Sequence, residues 1–256
     1  MRLVTFNILH GCSVQDGKVD LDRFATAIAA LDADVLALQE VDHHQQRSHG
    51  ADLTALAAEA MGAGEHRFVP AILGTPGVNW RPAHGQDDPD GTAYGVALLS
   101  RYAVRSWQVR PLPPVPWRVP TSFPGRPKPV LVTDEPRVAV AARLDSPVGD
   151  LTVVATHLTF LRGWNTQQLR TVTRELVPTD HPAVLMGDLN MPPIPATRNS
   201  GLRALVDGPT YPVDDPAEQL DHILATERHP LHVEDGGVQC TDVSDHCALW
   251  ARVAHC

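Results

Sequence analysis

The chain of 256 residues lacks any apolar run long enough for a transmembrane helix, which argues against a helical membrane protein. It also has little cysteine. The four residues lack zinc-site spacing and are too sparse for a disulfide scaffold: Cys12, Cys240, Cys247 and Cys256. We therefore expect reduced cysteines and a cytoplasmic protein. Because Met1-Arg2 leads directly into a strand-like run, we also expect no secretory signal.

Net positive charge is absent as well. The formal net charge is −9, which argues against a general binder of duplex DNA. However, eight basic residues and only two acidic ones lie between Arg101 and Arg143, and prolines are dense from Pro111 to Pro136. Two interpretations remain open for this segment. It is either a proline-stiffened surface loop between two strands, or a substrate-facing loop that offers arginines to phosphate and aromatic rings to an organic group.

Apolar residues make up 43% of the sequence, which is enough for a substantial core. We expect one α/β domain over residues 1–256, with an insertion rich in proline and arginine around 111–136. Predicted helices cover Leu21–Leu31, Leu53–Met61 and Leu169–Leu176. Predicted strands outnumber them: Leu3–Phe6, Val35–Leu38, Phe68–Leu73, Ala93–Leu99, Val138–Ala142, Leu151–Ala155, Ala183–Met186, Leu220–Ala225, His232–Val238 and Ala248–Val253. Many are continuously apolar, as strands covered on both faces should be.

Polar residues recur at the ends of these strands. The run Ala183–Met186 leads into Gly187-Asp188-Leu189-Asn190, and residues two apart on an extended backbone point the same way. Asp188 and Asn190 should therefore project together, which suits a site that holds a water and an anion side by side. Other strand ends carry Asn7, Glu40, His157, Asp245 and His246. Each alone has a structural explanation, such as a turn, a cap or a buried histidine, but open α/β sheets place ligand sites at such ends.

The types of these side chains indicate a reaction. Carboxylate and amide oxygens are hard ligands that suit Mg²⁺ or Mn²⁺, whereas Zn²⁺ would favour more closely spaced histidine or cysteine. Histidines near several carboxylates supply groups that titrate near neutral pH. A metal, an anion-binding amide and histidine together predict hydrolysis of a phosphoester that depends on a divalent cation.

Seven short motifs follow one another along the chain: Thr5-Phe6-Asn7, Leu38-Gln39-Glu40-Val41, Tyr94-Gly95-Val96-Ala97-Leu98-Leu99-Ser100-Arg101, Ala155-Thr156-His157-Leu158, Gly187-Asp188-Leu189-Asn190, Leu220-Asp221-His222-Ile223 and Ser244-Asp245-His246. In this order they resemble the endonuclease/exonuclease/phosphatase (deoxyribonuclease-I-like) superfamily over essentially the whole chain. The resemblance implies a four-layer sandwich, with two mixed β-sheets face to face, helices outside them and a site at one sheet edge. It also implies a Mg²⁺- or Mn²⁺-dependent hydrolase.

Carried over position by position, the resemblance implies a role for each motif residue. Glu40 would be the principal metal ligand, with Asn7 and Asp245 close to the ion. Asp188 would orient or deprotonate the attacking water, and Asn190 would hold a phosphate oxygen. His246, oriented by Asp221, would stabilise the transition state.

Two further roles follow from the same resemblance. His157 would contact the phosphate or protonate the leaving group, as in the deoxyribonuclease, sphingomyelinase and inositol-phosphatase branches; abasic-site endonucleases typically carry Asp there. Tyr94 would add a hydroxyl to the phosphate, although a strand-edge tyrosine with no such role explains it equally well.

The sequence also departs from the family pattern. Val96 stands where many members have Asn, Asn165 replaces an Arg while Gln168 is kept, and His222 replaces an aromatic residue and brings a third histidine near the site. These departures leave the predicted catalytic set complete. They weaken assignment to a named subfamily.

The substrate is less defined than the reaction. The leading hypothesis is a phosphatase or phosphodiesterase for a small or lipid-linked ester, because the chain is acidic and lacks lysine-rich patches. The pocket wall would then use basic and aromatic residues: Arg118, Arg126, Lys128, Arg162, Trp80, Trp117, Phe123 and Trp164. The alternative is a nuclease for single-stranded DNA, RNA or oligonucleotides, with the Arg101–Arg143 segment as a basic stacking platform. A catalytically inactive binding module is a third hypothesis. We expect a monomer with no transmembrane segment.

Overall fold

The computed structural model describes residues 1–84, 91–121 and 128–255. Fifteen strands are present in these residues: β1 (Arg2–Asn7), β2 (Val35–His43), β3 (Glu65–Thr75), β4 (Asn79–Pro82), β5 (Ala93–Ser100), β6 (Val104–Leu112), β7 (Val119–Thr121), β8 (Val130–Val132), β9 (Arg137–Ser146), β10 (Gly149–His157), β11 (Ala183–Asp188), β12 (Arg203–Ala204), β13 (Asp221–Ala225), β14 (His232–Gln239) and β15 (Ala248–Ala254). The α-helices are α1 (Leu21–Ala30), α2 (Leu53–Met61), α3 (Trp164–Leu176) and α4 (Pro193–Ser200). Short 3-10 turns cover Leu9–Gly11 and Gln46–Ser48.

The strands form two large sheets and one small one. The seven-stranded sheet has the order β14-β15-β1-β2-β5-β3-β4, and the six-stranded sheet has the order β12-β13-β11-β10-β9-β6. Each sheet contains one parallel pair among antiparallel neighbours, β1 with β2 and β10 with β11. Strands β7 and β8 form a separate two-stranded antiparallel sheet within the proline-rich segment.

The sheets pack face to face because neighbouring residues on a strand point to opposite faces. In β1, Leu3 lies in the core between the sheets, whereas Val4 and Phe6 pack toward the layer that holds α1 and α2. In β11, Val184 lies between the sheets and Leu185 packs toward the layer that holds α3 and α4. Both faces of these strands are therefore buried, which explains their continuous apolar runs. The predicted four-layer α/β sandwich is confirmed.

Local sequence explains how the first two helices begin. The Asp20 side chain accepts hydrogen bonds from the backbone N–H groups of Asp22 and Arg23, at 3.0 Å each, and Asp52 caps α2 in the same way. Such caps satisfy N–H groups that have no partner inside the helix.

Several elements were not predicted from the sequence, among them β4, β6 and α4. Strand β6 has alternating exposure and carries Arg105 and Arg110, as expected for an edge strand with little apolar periodicity. Strand β4 is likewise an edge strand, and α4 begins in the proline-rich run Pro192-Pro193. All three lie at the periphery, where burial does not impose a clear hydrophobic pattern.

The expectation of reduced cysteines was wrong for one pair. Cys240 and Cys247 form a disulfide, while Cys12 is a free thiol. The register of β14 and β15 explains why these cysteines pair. Gln239 lies opposite Ala248, and Cys240 and Cys247 are the next residues toward the loop that connects the two strands. Among the described residues, no helix is long and apolar enough to cross a membrane.

Candidate active site

The predicted strand-end residues gather at one edge of the sandwich, between the two sheets. They line a cleft of about 420 Å³ with five further residues: Asn7, Glu40, Tyr94, Glu135, Arg137, His157, Phe160, Asp188, Asn190, Tyr211, Leu220, Asp245 and His246. Asp221 lies behind the cleft and is fully buried. The structure therefore brings together all the residues that the motif argument selected.

Asn7 joins the two sheets at the floor of the cleft. Its Nδ2 donates to Glu40 Oε1 at 3.2 Å and to Asp188 Oδ2 at 3.1 Å. Its Oδ1 accepts the backbone N–H of Leu9 at 3.1 Å, and its carbonyl oxygen accepts the Ser244 hydroxyl at 2.7 Å. In this arrangement the Asn7 amide orients the two carboxylates, and its oxygen already has a donor.

Glu40 reaches the cleft because of a β-bulge, and β2 continues past it to His43. Leu38 pairs with Ala97 and Val41 with Gly95, so β2 holds one residue more than β5 between these pairs. Glu40 has a positive φ of 58° at this irregularity. In a regular strand Glu40 would share the face of Leu38, which packs toward the helices. The extra residue turns the carboxylate toward the cleft instead.

The Gly187-Asp188-Leu189-Asn190 motif has a local structural reason. A Cβ at position 187 would lie 1.9 Å from the carbonyl oxygen of Thr156, so only glycine fits beside β10. The backbone N–H of Asn190 donates to Asp188 Oδ1 at 2.9 Å, and Asn190 adopts a φ of 50°. Asparagine tolerates this left-handed conformation better than most residues. The two side chains face the same cleft, but not through the predicted alternation of an extended strand, because β11 ends at Asp188 and Asn190 is left-handed.

His246 lies between two buried carboxylates. Its Nδ1 is 2.8 Å from Asp221 Oδ2, and its Nε2 is 3.9 Å from Asp188 Oδ2. The hydroxyl of Thr210 donates to the same Asp221 oxygen at 2.6 Å. Burial alone lowers the pKa of His246, but the charge and hydrogen bond of Asp221 and the charge of Asp188 outweigh it and raise the pKa to about 10. The imidazole is therefore cationic at neutral pH.

The pKa of Asp188 is also raised, but for a carboxyl group this favours the neutral form. Burial raises the pKa of its carboxyl group, and the charge of Asp221 raises it further. The nearby His246 charge and the hydrogen bonds from Asn190 and Asn7 lower it without cancelling the increase. A carboxylate whose pKa approaches the working pH is a suitable proton acceptor.

His157 is held as a neutral ring with a defined tautomer. Its pKa is lowered well below the usual range by burial, with further contributions from the charges of Arg137 and His246. Arg137 Nη1 lies 3.2 Å from His157 Nδ1, and because a guanidinium only donates, Nδ1 must be the acceptor. We therefore assign the proton to Nε2, which lies 3.5 Å from Asp188 Oδ2 and 3.3 Å from Asn190 Nδ2 and faces the cleft.

Tyr94 presents a protonated hydroxyl to the cleft. Burial and then the Glu40 charge raise its pKa well above the usual range. Arg47, which holds Asp42 through two hydrogen bonds of 2.8 and 2.7 Å, lies 5.6 Å from the centre of the Tyr94 ring. The Arg47 guanidinium therefore lies over the face of the Tyr94 ring.

The predicted substrate-loop residues are less well placed than the motif residues. Arg118 and Arg162 are exposed and are absent from the cleft lining, as is Trp164. Trp164 instead packs edge-on against Trp117 at 6.2 Å, and its Nε1 donates to the carbonyl oxygen of Pro113 at 3.0 Å. Phe160 does line the cleft, two residues before Arg162. Arg126 lies outside the described residues.

Two of the positions that depart from the family pattern have structural roles. Asn165 Nδ2 donates to the carbonyl oxygen of Asn190 at 2.9 Å, so it supports the backbone of the phosphate-side loop. His222 is buried with its Nε2 2.9 Å from the carbonyl oxygen of Met191. It follows Asp221 on β13 and therefore faces the helix layer, so the expectation of a third histidine near the site was wrong.

Five cleft residues were not predicted as site residues from the sequence: Glu135, Arg137, Phe160, Tyr211 and Leu220. Arg137 is the most informative, because a buried arginine at the start of the apolar strand β9 is a polar residue that a core would not favour. That signal was present in the sequence but was assigned to the basic segment as a whole. Tyr211, whose ring centre lies 5.0 Å from that of His246, comes from a loop with no distinctive pattern.

The donor set fits a divalent cation at Glu40 and Asp245. Among the described residues, Glu40 has one side-chain hydrogen bond, from Asn7, and no ion pair, and burial raises the pKa of its carboxyl group. Asp245 faces the same cleft and also has no ion pair there. Asp188, Asp221 and His246 form a second group with spacing suitable for a metal. We favour Glu40 and Asp245 as the metal ligands. In the other group, His246 Nδ1 and the Asp221 carboxylate already bind each other and are less available to an ion.

Two face-to-face sheets flanked by helices, with acidic, amide and histidine side chains at one edge, define a two-sheet α/β sandwich domain. The sequence model of the Endonuclease/Exonuclease/phosphatase family matches residues 4–246. The chain therefore belongs to this family, whose members are phosphoester hydrolases.

Solved structures agree with this assignment. An endonuclease/exonuclease/phosphatase from Beutenbergia cavernae is 25% identical with a TM-score of 0.72, over 99% of this chain and 72% of the other. A mannosyl-6-phosphatase from Bacteroides thetaiotaomicron is 14% identical with a TM-score of 0.65, over 99% of both chains. Sphingomyelinase C from Streptomyces griseocarneus is 16% identical with a TM-score of 0.60, over 100% and 99%. The last two support the fold alone. No curated protein sequence matches the chain.

Proposed function

We propose that this protein is a divalent-cation-dependent phosphatase or phosphodiesterase for a small or lipid-linked phosphate ester. The observation that carries the proposal is the pair of buried carboxylates around His246. They keep its imidazole positively charged, with Nε2 3.9 Å from Asp188 Oδ2 at the edge of the cleft. A protein that only binds a ligand has no need for a proton acceptor with a raised pKa beside a fixed cationic imidazole.

The two halves of the cleft would divide the reaction between them. A Mg²⁺ or Mn²⁺ ion held by Glu40 and Asp245 would supply a Lewis acid for a phosphate oxygen. Asp188 accepts the proton of the attacking water, because its raised pKa brings it close to neutral pH. Asn7 holds Asp188 and Glu40 in register through its two hydrogen bonds.

The remaining side chains bind the phosphate and balance its charge. Asn190 Nδ2 donates to the carbonyl oxygen of Leu158 at 2.9 Å and lies 3.3 Å from His157 Nε2, so the two nitrogens would contact a phosphate oxygen side by side. The Nε2–H of His157 and the hydroxyl of Tyr94 are further donors in the same cleft. His246 adds positive charge where the transition state becomes more negative. Protonation of the leaving oxygen falls to Nε2–H of the cationic His246, because the neutral ring of His157 would become an imidazolate if it lost its proton; His157 serves as a hydrogen-bond donor to the phosphate.

The test is a panel of phosphate esters assayed with Mg²⁺, with Mn²⁺ and with a chelator. It compares p-nitrophenyl phosphate, bis(p-nitrophenyl) phosphate, a sugar phosphate, sphingomyelin and a labelled single-stranded oligonucleotide. We expect turnover of a small or lipid-linked ester that disappears with the chelator and returns with added metal. Turnover confined to the oligonucleotide would contradict the substrate assignment, and no turnover with any ester would contradict the reaction itself.

A nuclease for single strands is the second candidate, and the edge-to-face pair of Trp117 and Trp164 favours it. Trp117 is 63% exposed, so one face of its ring is free to stack on a base. If this candidate is right, oligonucleotide cleavage will fall steeply between low and physiological salt, because phosphate contacts release counterions. Trp117→Ala would then weaken oligonucleotide binding and leave turnover of p-nitrophenyl esters unchanged.

A further inference from the structure

The segment that carries Asp245 and His246 is closed at its base by the disulfide. Cys240 follows the last residue of β14 and Cys247 precedes the first residue of β15. The six residues between them therefore form a loop with a covalent link across its neck. This loop supplies one proposed metal ligand and the cationic histidine, and the two cysteines lie outside the cleft lining.

Noncovalent contacts hold the loop at a few backbone positions. Ser244 donates its N–H to the carbonyl oxygen of Cys12 at 2.7 Å and its hydroxyl to that of Asn7 at 2.7 Å. Its φ is 76°, a left-handed conformation that serine rarely adopts. Because the surroundings must enforce such a conformation, the loop depends on its anchors to keep Asp245 and His246 in place.

The neck of the loop is also the place where the chain enters and leaves the sheet. Cys247 is fully buried and donates its N–H to the carbonyl oxygen of Thr210 at 2.7 Å. Thr210 in turn donates its hydroxyl to Asp221, the partner of His246. A shift at Cys247 would therefore move the imidazole and the residue behind it together. Cys240 is exposed, so an external thiol can reach one sulfur of the pair.

We infer that the Cys240–Cys247 disulfide is a positioning clamp for Asp245 and His246, and that its reduction by a dithiol lowers turnover and cation affinity together. In the reaction, a thiolate of the dithiol attacks Cys240 Sγ, the S–S bond breaks and Cys247 leaves as a thiolate that takes up a proton. The second thiol of the reagent then displaces Cys240. Two electrons and two protons pass from the dithiol to the protein, and the reagent becomes a disulfide.

The inference rests on the proposed function, because it concerns the same site. The experiment compares the oxidised protein, the protein reduced with dithiothreitol and the double variant Cys240→Ser/Cys247→Ser. Three quantities are measured in each: kcat and KM on p-nitrophenyl phosphate and bis(p-nitrophenyl) phosphate, the Kd for Mn²⁺ by calorimetry, and the unfolding temperature. Cys12→Ser is the matched control, since it removes a thiol that is outside the disulfide and the cleft.

We expect reduction to lower kcat about tenfold or more and to weaken Mn²⁺ binding, well below the unfolding temperature, because small displacements of catalytic groups are costly. Reoxidation should restore both values. The double variant should resemble the reduced protein and ignore dithiothreitol, and Cys12→Ser should respond as the parent does. A lower unfolding temperature with unchanged kcat and unchanged Mn²⁺ affinity would overturn the inference and leave the disulfide a stabilising link only.

Failure of the proposed function would give a different result. If no ester is hydrolysed in any state, the Mn²⁺ titration still compares the oxidised and reduced proteins, and amide hydrogen exchange of residues 241–247 still reports whether the loop is held. Equal Mn²⁺ affinity and equal exchange in both redox states would overturn the clamp whatever the activity. Weaker binding and faster exchange after reduction would support the clamp even if the substrate assignment failed.

Discussion

The two sheets contribute unlike halves to one cleft. The seven-stranded sheet supplies Glu40, whose only side-chain hydrogen bond among the described residues comes from Asn7, and it carries no ion pair there. The six-stranded sheet supplies His157, Asp188 and Asn190, each of which is bound to its neighbours through several contacts. The first half is electrostatically unsatisfied and suits an added cation, whereas the second is a network already organised to bind an anion.

The largest expected effect on turnover comes from a substitution at Glu40, in the half that would bind the metal. Glu40→Gln removes the charge that attracts the cation, and we expect turnover to fall on the order of 10⁴-fold, as losing several kcal/mol of Lewis-acid stabilisation implies. The Kd for Mn²⁺ should rise, and the unfolding temperature should hardly change. Glu59→Gln, on the exposed face of α2, is the matched control. Near-normal turnover in Glu40→Gln would refute the assignment of the metal half.

A large loss of turnover is also expected for a substitution at Asp188, but without the loss of Mn²⁺ binding expected for Glu40→Gln. Asp188→Asn removes the proton acceptor, so kcat should fall on the order of 10³-fold, within the usual contribution of a general base. The Kd for Mn²⁺ should stay within a few-fold of the parent value. The unfolding temperature should be equal or higher, because a buried carboxylate with a raised pKa destabilises the folded state at neutral pH. Parallel loss of Mn²⁺ binding would place Asp188 in the metal half instead.

Asp221→Asn tests the cationic imidazole of His246, which lies on a loop of the seven-stranded sheet and is paired with Asp221 of the six-stranded sheet. Asp221 raises the pKa of His246 by charge and by hydrogen bonding, so its removal lowers that pKa from about 10 toward the ordinary histidine value. A cationic imidazole is lost as pH rises through its pKa, so the alkaline limb of the kcat–pH profile should move to lower pH. At pH 8 we expect a loss of roughly 30-fold, because an imidazole with an ordinary pKa of about 6.5 is only about 3% protonated there. An unmoved profile would show that the charge of His246 is not required.

The same residue pair links the site to stability. Because the folded pKa of His246 is raised above its unfolded value, the pair stabilises the fold fully below about pH 6.5 and loses that contribution as pH rises through about 10. In the Asp221→Asn variant, the decrease of the unfolding temperature between pH 7 and pH 10 should become smaller than in the parent. Parallel pH dependence in the two proteins would contradict the coupling.

The two halves also differ in how far sequence alone defines them. The alternation of residues on β1, β10 and β11 predicts which side chains face the space between the sheets, so Asn7, His157 and Asp188 follow from strand assignment plus motif order. Glu40 does not follow from alternation, because a β-bulge reverses the facing of β2 just before it. Only the resemblance selected it for the metal role.

What the sequence could not supply depends on contacts between distant segments. Arg137 touches His157 across 20 residues, and Tyr211 meets His246 from a loop without periodicity. The disulfide required the register of β14 and β15, which is set by pairing and not by the spacing of the cysteines. These features arise from tertiary packing, to which local patterns of charge and hydropathy are not sensitive.

The smallest expected effect concerns the proline-rich segment, residues 111–136, where it packs beside the strand end that carries His157. Asp134 is buried, and its two oxygens accept the N–H of Val115 at 3.0 Å and the hydroxyl of Thr159 at 2.7 Å. It therefore ties the proline-rich segment to the strand end that carries His157. Gln168 adds a second tie, because it accepts the N–H of Thr159 and donates to the carbonyl oxygen of Pro113. These contacts hold the segment at Pro113, Val115 and Asp134.

Asp134→Asn keeps the size of the side chain but turns one oxygen into a donor, so one of the two hydrogen bonds is lost. We expect KM for the preferred ester to rise about fivefold, the equivalent of about 1 kcal/mol for one hydrogen bond, with kcat nearly unchanged. Asp145→Asn, at an exposed position on β9, controls for the change of charge. A fall in kcat with unchanged KM would mean that Asp134 acts through His157, and the segment would then belong to the catalytic half and not to the substrate wall.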